Sequence, residues 1–218
     1  MSALVDRDLA VYWHPCSQMR DFQDFPPLEI VGARGARIQL AGGGEIIDAI
    51  SSWWCKSLGH GHAGVRARIA QQLDHFEHVI AANTTHVALV ELCERLLLMA
   101  NGGGGATPTG HFGKVFLADN GSTAVEIAMK MALQAQSQKG QSPRTQFASL
   151  SGGYHGETIA TLSAGDLGLY ADPYRPLMFP VHKIGPIPYR TGVADPRWQD
   201  AGPEWAAIES ALLPRAQT

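Results

Sequence analysis

Apolar residues recur along parts of this chain with the period of an α-helix. Within residues 63–75 they occupy every fourth position, at Val65, Ile69 and Leu73, which is the repeat of one helical face. A second helix is predicted from about residue 86 to residue 100, with five positions turned inward: Leu89, Leu92, Cys93, Leu96 and Leu97. The run 101–110, rich in glycine and then in threonine and proline, ends that helix and predicts a surface loop.

Short extended segments precede these helices. Residues 29–31, 37–40 and 45–48 are β-prone, and three consecutive glycines at 42–44 separate the last two segments. Within residues 28–50 this pattern predicts a small antiparallel meander.

The middle of the chain alternates strand-like and helix-like segments. Residues 114–118 are short, apolar and β-prone, and the polar turn 119–122 follows at once. A second apolar segment, 146–150, leads to a glycine-rich turn at 151–156. Apolar positions at helical spacing after the first turn predict a helix that ends before Gly140: Ala124, Val125, Ala128, Met131 and Ala132. Strand, turn and helix in this order predict an α/β fold with a mostly parallel sheet, which binds ligands at the carboxyl ends of its strands.

Prolines and glycines dominate the last part of the chain. They interrupt residues 173–203, where a long surface excursion without regular elements is expected. A short helix is predicted from about residue 203 to residue 213.

Composition narrows the class of partner. Of the 218 residues, 45% are hydrophobic, which excludes a disordered or fibrous chain. The 17 basic and 20 acidic side chains give a formal net charge of −3, so no general attraction to nucleic acid or to an anionic membrane is expected. A small polar ligand is the expected partner.

The cysteines and the apolar runs predict a soluble cytoplasmic protein. Cys16, Cys55 and Cys93 are odd in number and far apart, so they support neither a disulfide framework nor a structural zinc site. The first twenty residues lack the apolar run of a signal peptide, and no segment approaches the roughly 18 apolar residues that cross a bilayer.

The turn at 119–122 carries the first chemical signal. A helix that begins at about Ser122 exposes unpaired backbone N–H groups and the positive end of its dipole, which together bind phosphate. Gly121 lets the backbone approach an anion, and the hydroxyls of Ser122 and Thr123 are further donors. The alternative is that Ser122 only caps the helix.

Two aromatic pairs carry the other signals. Tyr154 and His155 stand between glycines, where a ring can stack on a flat heteroaromatic cofactor; the alternative is an aromatic turn packed on its neighbours. Trp53 and Trp54 are adjacent, and in an extended segment one would fill the core while the other faces a pocket, unless both only pack. His60 and His62 lack further ligands at metal-binding spacing, so no metal site is expected.

Together these signals describe a pocket for a phosphorylated aromatic cofactor. A mononucleotide site is the alternative, but the chain contains neither the P-loop pattern nor the dinucleotide-binding glycine pattern.

The sequence resembles the class III aminotransferases of pyridoxal-phosphate fold type I, and among them the members that act in biotin synthesis. The turn at 119–122 and the Tyr-His-Gly turn are shared by the whole class, whereas the Trp-His-Pro and Ser-Ser-Trp-Trp segments are typical of the biotin-pathway members. The stretches that carry the resemblance are residues 13–19, 48–54, 85–86, 91–93, 116–126 and 153–158.

The resemblance implies a role for each of these positions. Gly121 and Ser122 would bind the phosphate of pyridoxal 5'-phosphate, Tyr154 and His155 would border its ring, and Trp53 and Tyr154 would contact substrate. The substrates would be S-adenosylmethionine as amino donor and 8-amino-7-oxononanoate as acceptor, and the enzyme would be a homodimer. Two alternatives stay open, a class III enzyme for ornithine, 4-aminobutyrate or another ω-amine, and a non-catalytic cofactor-binding or assembly module.

The chain also departs from the family pattern. Some relatives have Tyr where this chain has Cys16, and an Asp is also seen at the position of Glu157. Enzymes of the family are longer, and none of the five lysines has the setting of the Schiff-base residue: Lys56, Lys114, Lys130, Lys139 and Lys183. The chain is therefore expected to be the N-terminal half of an aminotransferase and inactive alone. Residues 1–62 would form an N-terminal segment and residues 63–218 the first part of the cofactor-binding domain.

Overall fold

The structure is a computed structural model that describes residues 2–103, 112–140, 144–185, 189–198 and 202–213. The chain divides into two compact units, Met1–Val87 and Ala88–Thr218. The domain boundary expected at residue 62 stays a prediction.

The first unit begins with α1 (Ala3–Val11), a helix that the apolar pattern does not predict. The side chain of Ser2 caps it by accepting a hydrogen bond from the backbone N–H of Val5 at 3.3 Å. Val5 is the buried residue of this helix, so α1 has no apolar stripe from which it could be recognised. A short 3-10 helix, Met19–Gln23, follows.

The predicted meander is confirmed. Its strands are β1 (Ile30–Arg34), β2 (Arg37–Leu40) and β3 (Glu45–Ile47), and both pairs are antiparallel. Gly43 and Gly44 have φ values of +86° and +87°, which only glycine adopts without steric cost, and they close the turn between β2 and β3.

The two helices expected from the helical spacing of apolar residues are confirmed as α3 (Ala63–Leu73) and α4 (Val87–Ala100). Their apolar faces are more exposed to solvent than expected. The side chains that define the repeat in α3 are exposed, and in α4 the supposedly inward Leu92 and Leu96 are exposed as well. The repeat predicted the helices correctly, but burial depends on partner elements that a local pattern does not contain.

The second unit is of the α/β class, as predicted. It contains α5 (Gly121–Gln138), β4 (Ala148–Leu150), α6 (Ile159–Ala164), β5 (His182–Ile184) and α7 (Gly202–Leu212). Strands β4 and β5 pair in parallel, with Ala148 opposite His182 and Leu150 opposite Ile184. In the described part of this unit, three 3-10 helices lie among these elements: Gly168–Tyr170, Asp172–Leu177 and Pro196–Trp198.

Two expectations about this unit are wrong. Residues 114–118 form no strand within the described stretch 112–140. Conversely, β5 lies inside residues 173–203, where no regular element was expected. A strand exists only where another segment pairs with its backbone. Strand β5 is paired by β4, whereas no described residue pairs with residues 114–118.

The core of the second unit surrounds α6. Thr161 is fully buried, and four apolar residues of the described part are buried nearby in sequence or on β5: Leu162, Ala164, Ala171 and Ile184. The ammonium group of Lys183 on β5 donates to the backbone carbonyls of Ser163, Ala164 and Gly165 at 3.0, 2.6 and 2.6 Å. This contact ties the end of α6 to the sheet, because a cation pairs with the unsatisfied carbonyls of a helix C-terminus. Over the described residues, no helix is both long and apolar enough to cross a membrane.

Candidate functional site

The N-terminus of α5 presents free backbone donors. Asn120, rather than Ser122, is the N-cap, and its side-chain oxygen accepts a hydrogen bond from the N–H of Thr123 at 2.9 Å. The alternative that Ser122 serves as the cap is therefore wrong. Among the described residues the N–H groups of Gly121 and Ser122 have no acceptor, and a Cβ placed on Gly121 would meet nothing within 4 Å. The helix thus opens onto space with two donors and its positive dipole end.

The glycine-rich turn after β4 lies directly against this helix start. The hydroxyl of Ser122 accepts a hydrogen bond from the backbone N–H of Glu157 at 3.2 Å. Gly156 is buried with φ of +120°, and a Cβ there would lie 2.3 Å from Ser122 Oγ and 2.9 Å from Ser122 Cα. Only glycine permits this approach. Two segments with separate chemical signals in the sequence are therefore in direct contact.

Glu126 makes a second connection between the same segments. Its Oε1 accepts from the hydroxyl of Thr158 at 2.6 Å and from the backbone N–H of Ala160 at 3.1 Å. Glu126 follows Ser122 by one helical turn, so both side chains project from the same face of α5. No sequence pattern singled out Glu126, because its spacing from Ser122 indicates a shared face of α5 but not a partner for the carboxylate.

The two aromatic residues of the turn differ in exposure. Tyr154 is 63% exposed, and its hydroxyl lies 3.4 Å from Glu157 Oε1. His155 is half-buried, and its Nε2 is buried without a hydrogen-bond partner among the described residues. That nitrogen lies 3.0 Å from the position of a Cβ on Gly153, so the imidazole packs into its own turn. Of the two rings, that of Tyr154 is the more exposed.

The tryptophan pair has a different backbone from the one expected. Residues 51–54 have φ values of +50°, +46°, +58° and +63°, so α2 (Ser51–Trp54) is a single left-handed turn. The left-handed conformation costs L-residues about 1–2 kcal/mol each. Trp53 is 56% and Trp54 84% exposed, which contradicts the expectation of an extended segment with one indole in the core. Neighbouring side chains of a helical turn project about 100° apart rather than to opposite sides.

The carboxylate of Asp48 binds this left-handed turn. It accepts hydrogen bonds from the N–H of Ser52 at 2.9 Å, from the Ser52 hydroxyl at 2.8 Å and from Nε2 of His60 at 2.8 Å. These bonds, that of the Ser52 N–H first, lower the pKa of Asp48 from 3.8 to about 2. His60, considered above as a metal ligand, thus has a carboxylate partner, and the described residues contain no group of three metal-ligating side chains.

Solved structures identify the fold. The chain superposes on the adenosylmethionine-8-amino-7-oxononanoate aminotransferase of Methanocaldococcus jannaschii with a TM-score of 0.80 and 29% identity, over 96% of this chain and 44% of that one. It also superposes on an omega transaminase of Pseudomonas jessenii in complex with PMP, with a TM-score of 0.83 and 22% identity, over 98% of this chain and 46% of that one. The fold is that of the pyridoxal-phosphate-dependent transferases of fold type I.

The family follows from the sequence. The sequence model of the protein family "Aminotransferase class-III" matches residues 19–205. The chain therefore belongs to the class III aminotransferases, a pyridoxal-phosphate-dependent family. The chain is 41% identical over 172 residues to the adenosylmethionine-8-amino-7-oxononanoate aminotransferase of Helicobacter pylori. That match covers 78% of this chain and 37% of the relative, so the chain spans less than half the length of this relative.

The residues at the start of α5 fit the phosphate of this cofactor. The N–H groups of Gly121 and Ser122 are available donors facing open space. Since Ser122 Oγ accepts from Glu157, its own hydroxyl hydrogen remains available to an anion. An exposed tyrosine ring lies in the turn bonded to this serine.

Proposed function

We propose that this protein acts in biotin synthesis as an aminotransferase, moving the α-amino group of S-adenosylmethionine to C7 of 8-amino-7-oxononanoate. The donor leaves as its 2-oxo acid, and the acceptor ketone becomes the amine of 7,8-diaminononanoate. The observation that carries the proposal is the contact of Ser122 with the turn of Tyr154, because it brings the open N-terminus of α5 and an exposed aromatic ring together. The names of the relatives support the choice of substrates.

In this proposal the chain's own residues hold and orient the cofactor. Gly121 and Ser122 bind the phosphate of pyridoxal 5'-phosphate, Tyr154 covers the ring, and His155 supports the same turn. The cofactor supplies the electron sink for breaking bonds at the amine-bearing carbon. Trp53 and Tyr154 contact the substrate.

The lysines of this chain support the proposal that it binds the cofactor but does not catalyse the reaction. Lys183, for example, uses its ammonium group to bind three carbonyls and the hydroxyl of Ser149, so it is not free to react. We propose that the chain by itself binds the cofactor and is inactive, and that the complete enzyme is a homodimer. The three free thiols fit a cytoplasmic location.

Titration with pyridoxamine 5'-phosphate tests the cofactor site, because this form needs no lysine. Ser122→Ala should weaken binding to the full chain by about tenfold, since one charge-assisted hydrogen bond is lost. Ser137→Ala, near the other end of the same helix, is the matched control. Tyr154→Ala should weaken binding, and Tyr154→Phe, which keeps the ring, should not. If all four variants bound pyridoxamine 5'-phosphate as tightly as the unmodified chain, the proposed cofactor site would be excluded.

Donor choice tests the substrates. With pyridoxal 5'-phosphate bound, the chain should bind S-adenosylmethionine more tightly than ornithine or 4-aminobutyrate, and Trp53→Ala should reduce that preference. Preference for the ω-amines would instead assign the protein to the other class III activity. Formation of 7,8-diaminononanoate by the chain alone, detected by mass spectrometry, would contradict the proposed inactivity.

A further inference from the structure

Asp48 and His60 hold the one left-handed turn found among the described helices, and this turn contains the adjacent, exposed Trp53 and Trp54. Four consecutive residues other than glycine have positive φ at this turn, although L-residues disfavour that conformation. Such a turn persists only when the surrounding contacts determine it.

Both residues are fixed to the hairpin between β1 and β2. The backbone of His60 pairs with Gly35 in both directions, at 2.8 and 3.0 Å, and the N–H of Asp48 donates to the carbonyl of Ala36 at 2.9 Å. A Cβ on Gly59 would lie 3.1 Å from Gly35 Cα, so the approach of the two backbones depends on glycine. The backbones of Asp48 and His60 are therefore held in place by the β1–β2 hairpin of the meander.

The buried carboxylate of Asp48 connects the left-handed turn to the meander. The side chain of Asp48 is 5% exposed and that of His60 14% exposed, so neither presents much surface to a ligand. Asp48 instead binds both the N–H and the hydroxyl of Ser52, in the middle of the left-handed segment. The residue after Ser52 is Trp53, whose direction depends on this backbone.

We propose that Asp48 and His60 are positioning residues of the substrate site, which fix the direction of the Trp53 indole by holding α2 left-handed. The inference rests on the proposed function, in which Trp53 contacts the substrate. Asp48 acts from beneath the turn, and His60 orients the carboxylate and completes its set of donors.

Fluorine NMR of the full chain labelled with 5-fluorotryptophan reports the turn directly. The five tryptophans give five signals, of which Trp53→Phe and Trp54→Phe identify two. Asp48→Asn and His60→Ala should shift both signals by more than a linewidth and leave those of Trp198 and Trp205 unchanged. His60→Gln, which keeps a side-chain N–H donor, should restore the signals in part. Asp24→Asn and His78→Ala, exposed residues of the same unit, are the matched controls.

A glycine substitution separates turn geometry from general stability. The Ser51 side chain has no hydrogen bond among the described residues, and its φ is +50°. Ser51→Gly removes the steric penalty of that φ, so adding it to Asp48→Asn should return the Trp53 signal towards its original position. If Asp48→Asn does not fold, Ser52→Ala, which removes only one of the three donors to the carboxylate, should still shift the signal. Unshifted Trp53 and Trp54 signals in the Asp48, His60 and Ser52 variants would overturn the inference.

Binding of S-adenosylmethionine to the chain loaded with pyridoxal 5'-phosphate links the turn to function. Trp53→Ala and Asp48→Asn should each weaken it about tenfold, while binding of pyridoxamine 5'-phosphate stays unchanged. If Trp53→Ala weakens binding and Asp48→Asn does not, the positioning role is wrong. If the unmodified chain does not bind S-adenosylmethionine, or Trp53→Ala has no effect, the proposed substrate role fails first.

Discussion

The hydroxyl of Ser122 accepts a hydrogen bond from the backbone N–H of Glu157 at 3.2 Å, across 35 positions of sequence. This bond joins the start of α5 to the glycine-rich turn after β4. Gly156 makes the contact possible because its α-carbon packs against Ser122 where no side chain would fit. The proposed cofactor site depends on this junction.

Gly156→Ala should therefore destabilise the chain. The new methyl group would overlap Ser122 and force an alanine to adopt φ of +120°, which together cost about 2–5 kcal/mol. Gly152→Ala is the control, because Gly152 has φ of +71° but open space around its Cβ position, so about 1 kcal/mol is expected. Urea unfolding of the two variants measures the difference, and similar losses would show that the junction is not closely packed.

Glu126→Ala should loosen the same turn from the other side. It removes the acceptor of the Thr158 hydroxyl and of the Ala160 N–H, with a cost of about 1–3 kcal/mol. Glu126→Gln keeps an acceptor oxygen and should recover part of this loss. Hydrogen exchange at Ala160 gives the local measurement: its rate should rise in the alanine variant more than in the glutamine variant. An unchanged rate would contradict the role of Glu126 as an anchor.

Lys183→Met should weaken the attachment of β5 to α6. The substitution keeps most of the apolar stem but leaves the carbonyls at the end of α6 without their cation, at a cost of about 1–2 kcal/mol. Lys139→Met, at the C-cap of α5, is a matched control in which no comparable set of contacts is lost. Thermal unfolding compares the two, and equal stabilities would show that the Lys183 contacts contribute nothing net.

The pH dependence of stability should reveal the Asp48 carboxylate. Its pKa is about 2 in the folded chain against 3.8 ordinarily, so its contribution is complete above about pH 4 and is lost as the pH falls towards 2. The difference in unfolding free energy between the unmodified chain and Asp48→Asn should shrink over that interval. Ser52→Ala removes one donor to the Asp48 carboxylate, so the pH interval over which this difference shrinks should become narrower. A difference that stays constant from pH 5 to pH 2 would contradict the depressed pKa.

Local patterns predicted the elements whose stability is mostly local. Apolar residues at helical spacing located α3, α4 and α5, and β-prone segments separated by glycines located the meander. They failed where distant partners decide the outcome. Residues 114–118 have the composition of a strand but no pairing partner in the described stretch, and β5 was overlooked because prolines and glycines surround it.

The site shows the same division. Ser122 and Tyr154 could be selected from sequence because a glycine-rich turn before a helix and an aromatic turn each have a recognisable chemistry. Glu126 and Asp48 could not, since an acidic residue on a helix or after a strand is usually solvated. Their roles arise only from donors brought to them by folding.

By itself the sequence determined the α/β class, the helix α5 and the candidate residues at its start, because periodicity and turn composition act over a few neighbouring positions. Only the tertiary structure decided that Ser122 meets the turn of Tyr154, that Asn120 caps α5, and that residues 51–54 turn left-handed above Asp48. Those outcomes depend on close backbone approach and on buried hydrogen bonds between residues far apart in the chain, which no local pattern encodes.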